Sequence, residues 1–122
     1  MRKKFINHTN HASERWSAEQ KSAALAYGEI FDVAFPSINP NATKRQVREL
    51  AEENFAKILS LEPSAVLCQG EFTYTFALVE LLKEIGVKTL AATSERVVSA
   101  EILPNGTTRQ VSTFKFVQFR EY

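Results

Sequence analysis

The chain has a single cysteine, Cys68, and a single aspartate, Asp32. One thiol excludes an internal disulfide and any multi-cysteine metal site. One aspartate, placed inside a stretch that reads as strand, leaves no Ser/His/Asp triad, and no GxSxG elbow is present to support one. The phosphate-binding loop GxxxxGK followed by Ser or Thr is missing, as is the dinucleotide fingerprint GxGxxG. No apolar run approaches the roughly 20 residues of a membrane span, and MRKKFINHTN lacks the apolar core of a signal peptide. A cytoplasmic location without membrane association is the resulting expectation. Charge of one sign is scarce as well: 15 basic against 14 acidic side chains give +1, so the field that long nucleic acids require is lacking. Repeats and low-complexity stretches are absent.

What is present suits one folded domain of 122 residues, 44% hydrophobic and 24% charged. The segment AVLCQGEFTYT, residues 65–75, organises the rest. Ala65, Val66, Leu67 and Cys68 form an unbroken apolar run, the pattern of a strand covered on both faces. Polarity arrives abruptly at Gln69, Gly70 and Glu71, and helical spacing follows through Tyr74, Ala77, Leu78, Leu81, Leu82 and Ile85 to a closing Gly86. Upstream, Lys4 to Asn7 reads as a first strand, His8 to Arg15 as a polar loop, and Ser17 with Gln20 as a capping box opening a helix to Tyr27. Ile30 to Phe35 is a second strand, stopped by Pro36. Thr43 and Gln46 cap a long helix with one apolar stripe, which Pro63 ends.

Lys88 to Ala92 supplies a fourth short strand, and Thr93 to Arg96 a polar cluster. Val97 to Leu103 and Arg109 to Phe119, joined through Pro104, Asn105 and Gly106, predict a β-hairpin with either a bulge or a face covered on both sides near Phe114 to Phe119. Alternating strands and helices predict an α/β, Rossmann-like three-layer sandwich: a parallel four-stranded core in order 2-1-3-4 plus the C-terminal β-hairpin, all in one domain spanning 1–122. At the switch point of such a sheet, the ends of strands one and three line a cleft, with strand four beside them.

Three polar clusters should therefore share one rim. In the first, His8 and His11 can act as acid and base, with Asn7, Thr9 and Asn10 nearby; His8 can equally satisfy backbone groups in a turn. Their loop spacing, without cysteine or a matching carboxylate, argues against a metal. Trp16 stands where a hydrophobic staple belongs and is also a candidate base-stacking wall. In the second cluster, Gly70 permits close backbone approach, and the amides of Phe72, Thr73 and Tyr74 can face an anion at a helix start. Glu71 is either a catalytic carboxylate or a first-turn complement to the helix dipole. The third offers the hydroxyls of Thr93 and Ser94 and the guanidinium of Arg96, suited to phosphate or to a simple turn.

The stretches FINHTNHASERWSAEQ, VLCQGEFTYTFALVELLKEIG and NGTTRQVSTFKFVQFREY resemble small single-domain Csx-type proteins encoded beside type III CRISPR systems. The string VxxQGEF and the terminal FKxVxFREY are the most distinctive parts. Such proteins are similar to CARF domains, CRISPR-associated Rossmann folds that bind cyclic oligoadenylate across a two-fold dimer, and some resemble ring nucleases that cut this messenger. The resemblance implies a homodimer that binds cyclic oligoadenylate and cleaves it without a metal or other cofactor. It further implies phosphate contacts from the amides after Gly70, from Thr93, Ser94 and Arg96, proton donation by His8 or His11, stacking on Trp16, Phe72 or Tyr74, and base hydrogen bonds from Asn7, Asn10 or Gln69. The alternatives are a non-catalytic ligand-binding or interaction protein, with Phe114, Phe116 and Phe119 at a subunit interface, and an enzyme acting on another small nucleotide.

Overall fold

The structure is a computed structural model describing residues 3–122. It contains β1 (Lys4–Thr9), a 3-10 turn (Ser13–Arg15), α1 (Ala18–Leu25), β2 (Glu29–Asp32), α2 (Lys44–Ser60), β3 (Pro63–Gln69), α3 (Phe72–Glu84), β4 (Thr89–Ile102) and β5 (Thr108–Glu121). The fold is mixed α/β, with one five-stranded sheet in order β2-β1-β3-β4-β5. β2, β1, β3 and β4 run parallel as neighbours, whereas β5 is antiparallel to β4. Among the described residues no helix is long and apolar enough to cross a membrane.

Strand alternation sends successive side chains to opposite faces, and the two faces bury different clusters. Ile6, Val66 and Cys68 pack under α2 and α3 against Val47, Ala51, Ile58, Leu78 and Leu82. Phe5, Ala65, Leu67 and Leu90 face the other way, toward Trp16 and Ala24. The Thr43 capping box forms in both directions, Thr43 Oγ1 accepting from Gln46 N and Gln46 Oε1 from Thr43 N. At Ser17 the side chain accepts from Gln20 N.

The expected layout of a four-stranded parallel core with a separate hairpin is corrected at the C-terminal end. The fourth strand and the first hairpin arm are one continuous strand, because nothing in Thr93 to Arg96 breaks the backbone and β5 supplies a partner along its length. Parallel pairing of β3 with β4 stops after Val66–Thr89 and Leu67–Leu90, where the two strands separate. The expected bulge is a register shift at Thr93/Ser94, opposite Val117. Leu103 to Thr107 form the connection, closed by Leu103 N donating to Thr107 O at 2.8 Å, with Gly106 at φ +85°. Beyond Thr93 the β4–β5 pair is largely exposed and continues as a two-stranded ribbon.

Three other boundaries shift. β1 runs on through His8 and Thr9, so these residues are strand rather than loop. β2 is shorter than Ile30–Phe35, ending at Asp32, and β3 begins at Pro63, whose missing N–H is tolerated at a strand's first residue.

Candidate functional site

Where β3 and β4 part, a cleft of about 1180 Å³ opens on the α1 face of the sheet. Its walls come from the end of β1 and the following loop, from the 3-10 turn and α1, from the β3–α3 junction, and from the ribbon. The Gln69 side chain replaces the next rung between the parting strands: its Oε1 accepts from Ala92 N at 2.9 Å and its Nε2 donates to Ala92 O at 3.4 Å.

All three polar segments anticipated at one rim contribute residues to this cleft. Thr9, Asn10 and His11 come from the first, Gln69, Gly70 and Phe72 from the second, and Ser94 from the third, with Trp16 beside them. Asn7 anchors the first segment from below. Its Nδ2 donates to His11 O at 2.9 Å and to Asp32 Oδ1 at 3.0 Å, while its Oδ1 accepts from Thr9 Oγ1 at 2.9 Å. Asp32 Oδ2 in turn accepts from Ser13 N. The lone aspartate thus clamps the loop that carries His11, and Asn7 itself is buried with its amide committed.

His8 and Tyr74 lie elsewhere. His8 follows Asn7 on β1 and so turns to the α2/α3 face, where it is fully buried between Phe35 and Tyr74. Its Nδ1 bonds to Val33 O at 2.8 Å, and because a carbonyl only accepts, Nδ1 carries the proton. Nε2 then accepts the Tyr74 hydroxyl proton at 2.6 Å. Burial lowers the His8 pKa; the Val33 carbonyl works against this, and the charge of Lys57 adds to the lowering. Burial likewise raises the Tyr74 hydroxyl, and it lifts the Cys68 thiol to about 12, so Cys68 is no thiolate nucleophile. Thr75 Oγ1 is a buried side-chain oxygen facing the Cys68 thiol, on which it works against the effect of burial.

The helix start expected to receive an anion is occupied by the chain's own carboxylate. Glu71 is the N-cap of α3, accepting from the amides of Thr73 and Tyr74 and from the Thr73 hydroxyl at 2.6 Å. The Thr73 hydroxyl, followed by the two amides, holds the Glu71 carboxyl below the usual range despite slight desolvation. Gly70 is required by packing: a Cβ there would stand 2.3 Å from Phe35 Cζ. Thr93 donates to Gln118 O at 3.0 Å, and Arg96 donates through Nε to Ser112 Oγ at 2.6 Å, a cross-strand bond on the ribbon. Glu71, Thr73, Thr93 and Arg96 are outside the cleft lining.

The cleft also holds residues that sequence reasoning missed as ligand contacts. Arg15 enters from the 3-10 turn, and Lys115, Phe114 and Phe116 from β5. Phe116 packs against Phe119 with ring centroids 4.9 Å apart and the rings tilted by 59°, and Phe119 reaches Phe5 and Trp16 and so ties the ribbon to the core. Phe72 is 89% exposed at the opposite wall. Aromatic surface, two permanent cations and one solvent-accessible imidazole therefore share one concavity, with Glu19 the acidic side chain lining it. Such a set can stack planar rings, neutralise a phosphodiester and move a proton. Among the described residues no three metal-ligating side chains stand together.

The chain belongs to the Uncharacterized protein MJ1673 family, whose model matches residues 3–120. No curated protein and no solved structure matches it.

Proposed function

We propose that this chain is a cytoplasmic, CARF-like domain of Rossmann type associated with type III CRISPR defence, which binds cyclic oligoadenylate in the cleft under the ribbon and opens the ring without a metal. The observation that carries this reading is the joint placement of His11, Arg15 and Lys115 with Trp16, Phe72, Phe114 and Phe116 in one cleft. Adenines stack on the aromatic walls, and the phosphates take the guanidinium and the ammonium. Gln69 is already spent on Ala92, and Asn10, Gln20, Ser94 and Thr113 are polar side chains of the lining available for base or ribose edges.

Ring opening of this kind needs positioning more than exotic chemistry. A ribose 2′-oxygen attacks the adjacent phosphorus in line, the bond from phosphorus to the 5′-oxygen breaks, and a 2′,3′-cyclic phosphate is left. The 2′-hydroxyl proton passes to solvent, and protonated His11 gives its proton to the departing 5′-oxygen. Arg15 and Lys115 offset the charge that builds on the phosphoryl oxygens. Incubation with cyclic tetra- and hexa-adenylate in EDTA, with products resolved chromatographically, tests the proposal. Linear products are the expected outcome, and a ring that neither binds nor shortens defeats it.

The exposed apolar side chains of the ribbon, Val98, Ile102 and Phe114, favour a second reading as a non-catalytic binding or interaction protein. Tight ring binding with no turnover, unaltered by His11→Ala, would select it.

A further inference from the structure

The two walls of the cleft are held unequally. On one side His11 sits in a loop clamped by Asn7 and Asp32, Trp16 is buried against Phe5, and Phe72 opens a helix packed into the core. On the other side stand Ser94, Val97 and Thr113 to Phe116, all of them on the ribbon. Among the described residues, no hydrogen bond or ion pair joins residues 94–116 to β1, β2, β3 or a helix. Their polar side-chain bonds run within the ribbon, as in Arg96 to Ser112 and Arg109 to Glu101.

The root of this second wall is narrow. β3 and β4 share two rungs, Val66 with Thr89 and Leu67 with Leu90, and the Gln69 side chain then holds Ala92. Immediately afterwards the register shifts at Thr93/Ser94, opposite Val117. A bulge bends its strand and interrupts the ladder, and two strands lack the neighbours that stiffen a wide sheet. The ring contact that crosses the bulge, Phe116 with Phe119, has no hydrogen bond to fix its angle. From Ser94 to Ile102 the free arm of β4 has nine residues. At roughly 3.4 Å per residue that is about 30 Å, so a swing of about 10° moves the tip by about 5 Å.

The bulge also keeps three rings on one face. Phe119 pairs with Ala92, Phe116 with Ser94 and Phe114 with Arg96, and alternate residues of β4 point the same way. Phe119 packs in the core on the α1 side, whereas Phe114 is 75% exposed, and Phe72 on the fixed wall is 89% exposed. Two bare rings, one fixed and one on a lever, lose water-exposed area when the lever swings inward.

We propose that residues 94–117 form a strap hinged at the Thr93/Ser94 bulge, which closes the cleft by carrying Phe114 toward Phe72. A planar, anionic ligand between the walls gains a ring on each side, with Lys115 arriving on the strap and Arg15 already on the fixed wall. The hinge stands on the backbone; the identity of the ligand rests on the nucleotide reading.

The test is a double electron–electron resonance measurement on the full chain with pairs of spin-labelled cysteines. Ser22→Cys on α1 with Ile102→Cys at the strap tip reads the opening, and Ser22→Cys with Ala56→Cys on α2 is the control within the body. Cys68 is buried and takes no label. Without ligand, the tip distances should spread at least about 5 Å more widely than the control, the displacement that the length of the arm gives for a small swing. Deletion of Val117 restores an unbroken register and should shrink the spread to that of the control, whereas Gln69→Ala frees Ala92 and should widen it. A parent spread equal to the control overturns the strap, as does a spread that neither variant changes; if the deletion fails to fold, the parent and Gln69→Ala decide. Added cyclic tetra-adenylate should shorten the tip distance and narrow its spread, and ring uptake in equilibrium dialysis with unaltered distances overturns the closure. A chain that takes up no ring sinks the nucleotide reading, and the ligand-free distances then uphold or overturn the strap by themselves.

Discussion

The two faces of the sheet are built from the same strands and do different things. On the α2/α3 side, Ile6, His8, Val66 and Cys68 are fully buried, and the one imidazole there has both nitrogens engaged. On the α1 side, Phe5, Ala65 and Leu67 begin an equally dry layer, but it gives way to the cleft where β4 leaves β3 and pairs on with β5. The difference teaches that position within a strand outranks residue type. His8 and His11 are chemically identical, yet strand parity seals one while the loop after β1 presents the other to solvent.

The sharpest way to break this contrast is His11→Ala. Ring cleavage should fall about 100- to 10,000-fold, the usual worth of a general acid, with ring affinity within a few-fold and thermal stability unchanged. An activity loss confined to His8→Gln instead would reverse the assignment of faces. Next in size is a paired truncation. Leu78→Ala, in the sealed layer, should cost about 2–5 kcal/mol in urea denaturation. Phe114→Ala, 75% exposed on the ribbon, should stay within about 0.5 kcal/mol of the parent while weakening ring binding. Equal costs would mean that the ribbon is part of the core after all.

Gly70→Ala forces a Cβ into the Phe35 ring and should destabilise by roughly 1–3 kcal/mol. A second change, Phe35→Ala, should recover part of that loss, which a role for Gly70 in ligand approach alone would not predict. The sealed imidazole has a pH signature. The His8 pKa in the folded chain lies below the ordinary 6.5, so the unfolded chain takes up the proton first. Its contribution to stability is complete above pH 6.5 and declines as pH falls toward the folded value, by at most about 1.4 kcal/mol per pH unit. Unfolding free energies measured from pH 7.5 to 5.5 should show this slope in the parent and lose it in His8→Gln. The smallest effect belongs to Glu71→Gln, which should weaken the α3 cap by about 0.5–1 kcal/mol and leave ring cleavage untouched. A large drop in turnover would restore Glu71 to the catalytic group.

Much of the chain was legible from local pattern. The capping residues Ser17 and Thr43, the apolar strand Ala65 to Cys68, and the turn at Asn105 and Gly106 act over a few residues, where side-chain chemistry and backbone preference decide. The convergence of the β1, β3 and β4 segments on one rim was legible too, through the rule that strand ends meet at a switch point. Arg15, Lys115, Phe114 and Phe116 were not legible as cleft residues. They reach it because the ribbon and the 3-10 turn fold over the same sheet end, which no sequence spacing encodes. Nor did the QGEF string disclose that Glu71 caps its own helix and that Gln69 replaces a strand rung.

By itself, the order of residues determined the alternation of strands and helices and the helix starts, since each depends on neighbours within a few positions, and it left no room for an internal disulfide, a P-loop or a GxSxG triad. Only the tertiary structure decided which histidine is sealed and which is wet, where β3 and β4 part, and which aromatic and cationic side chains gather there. The physical reason is that burial and encounter belong to surfaces assembled from segments far apart along the chain, and those surfaces form only once the sheet is in register.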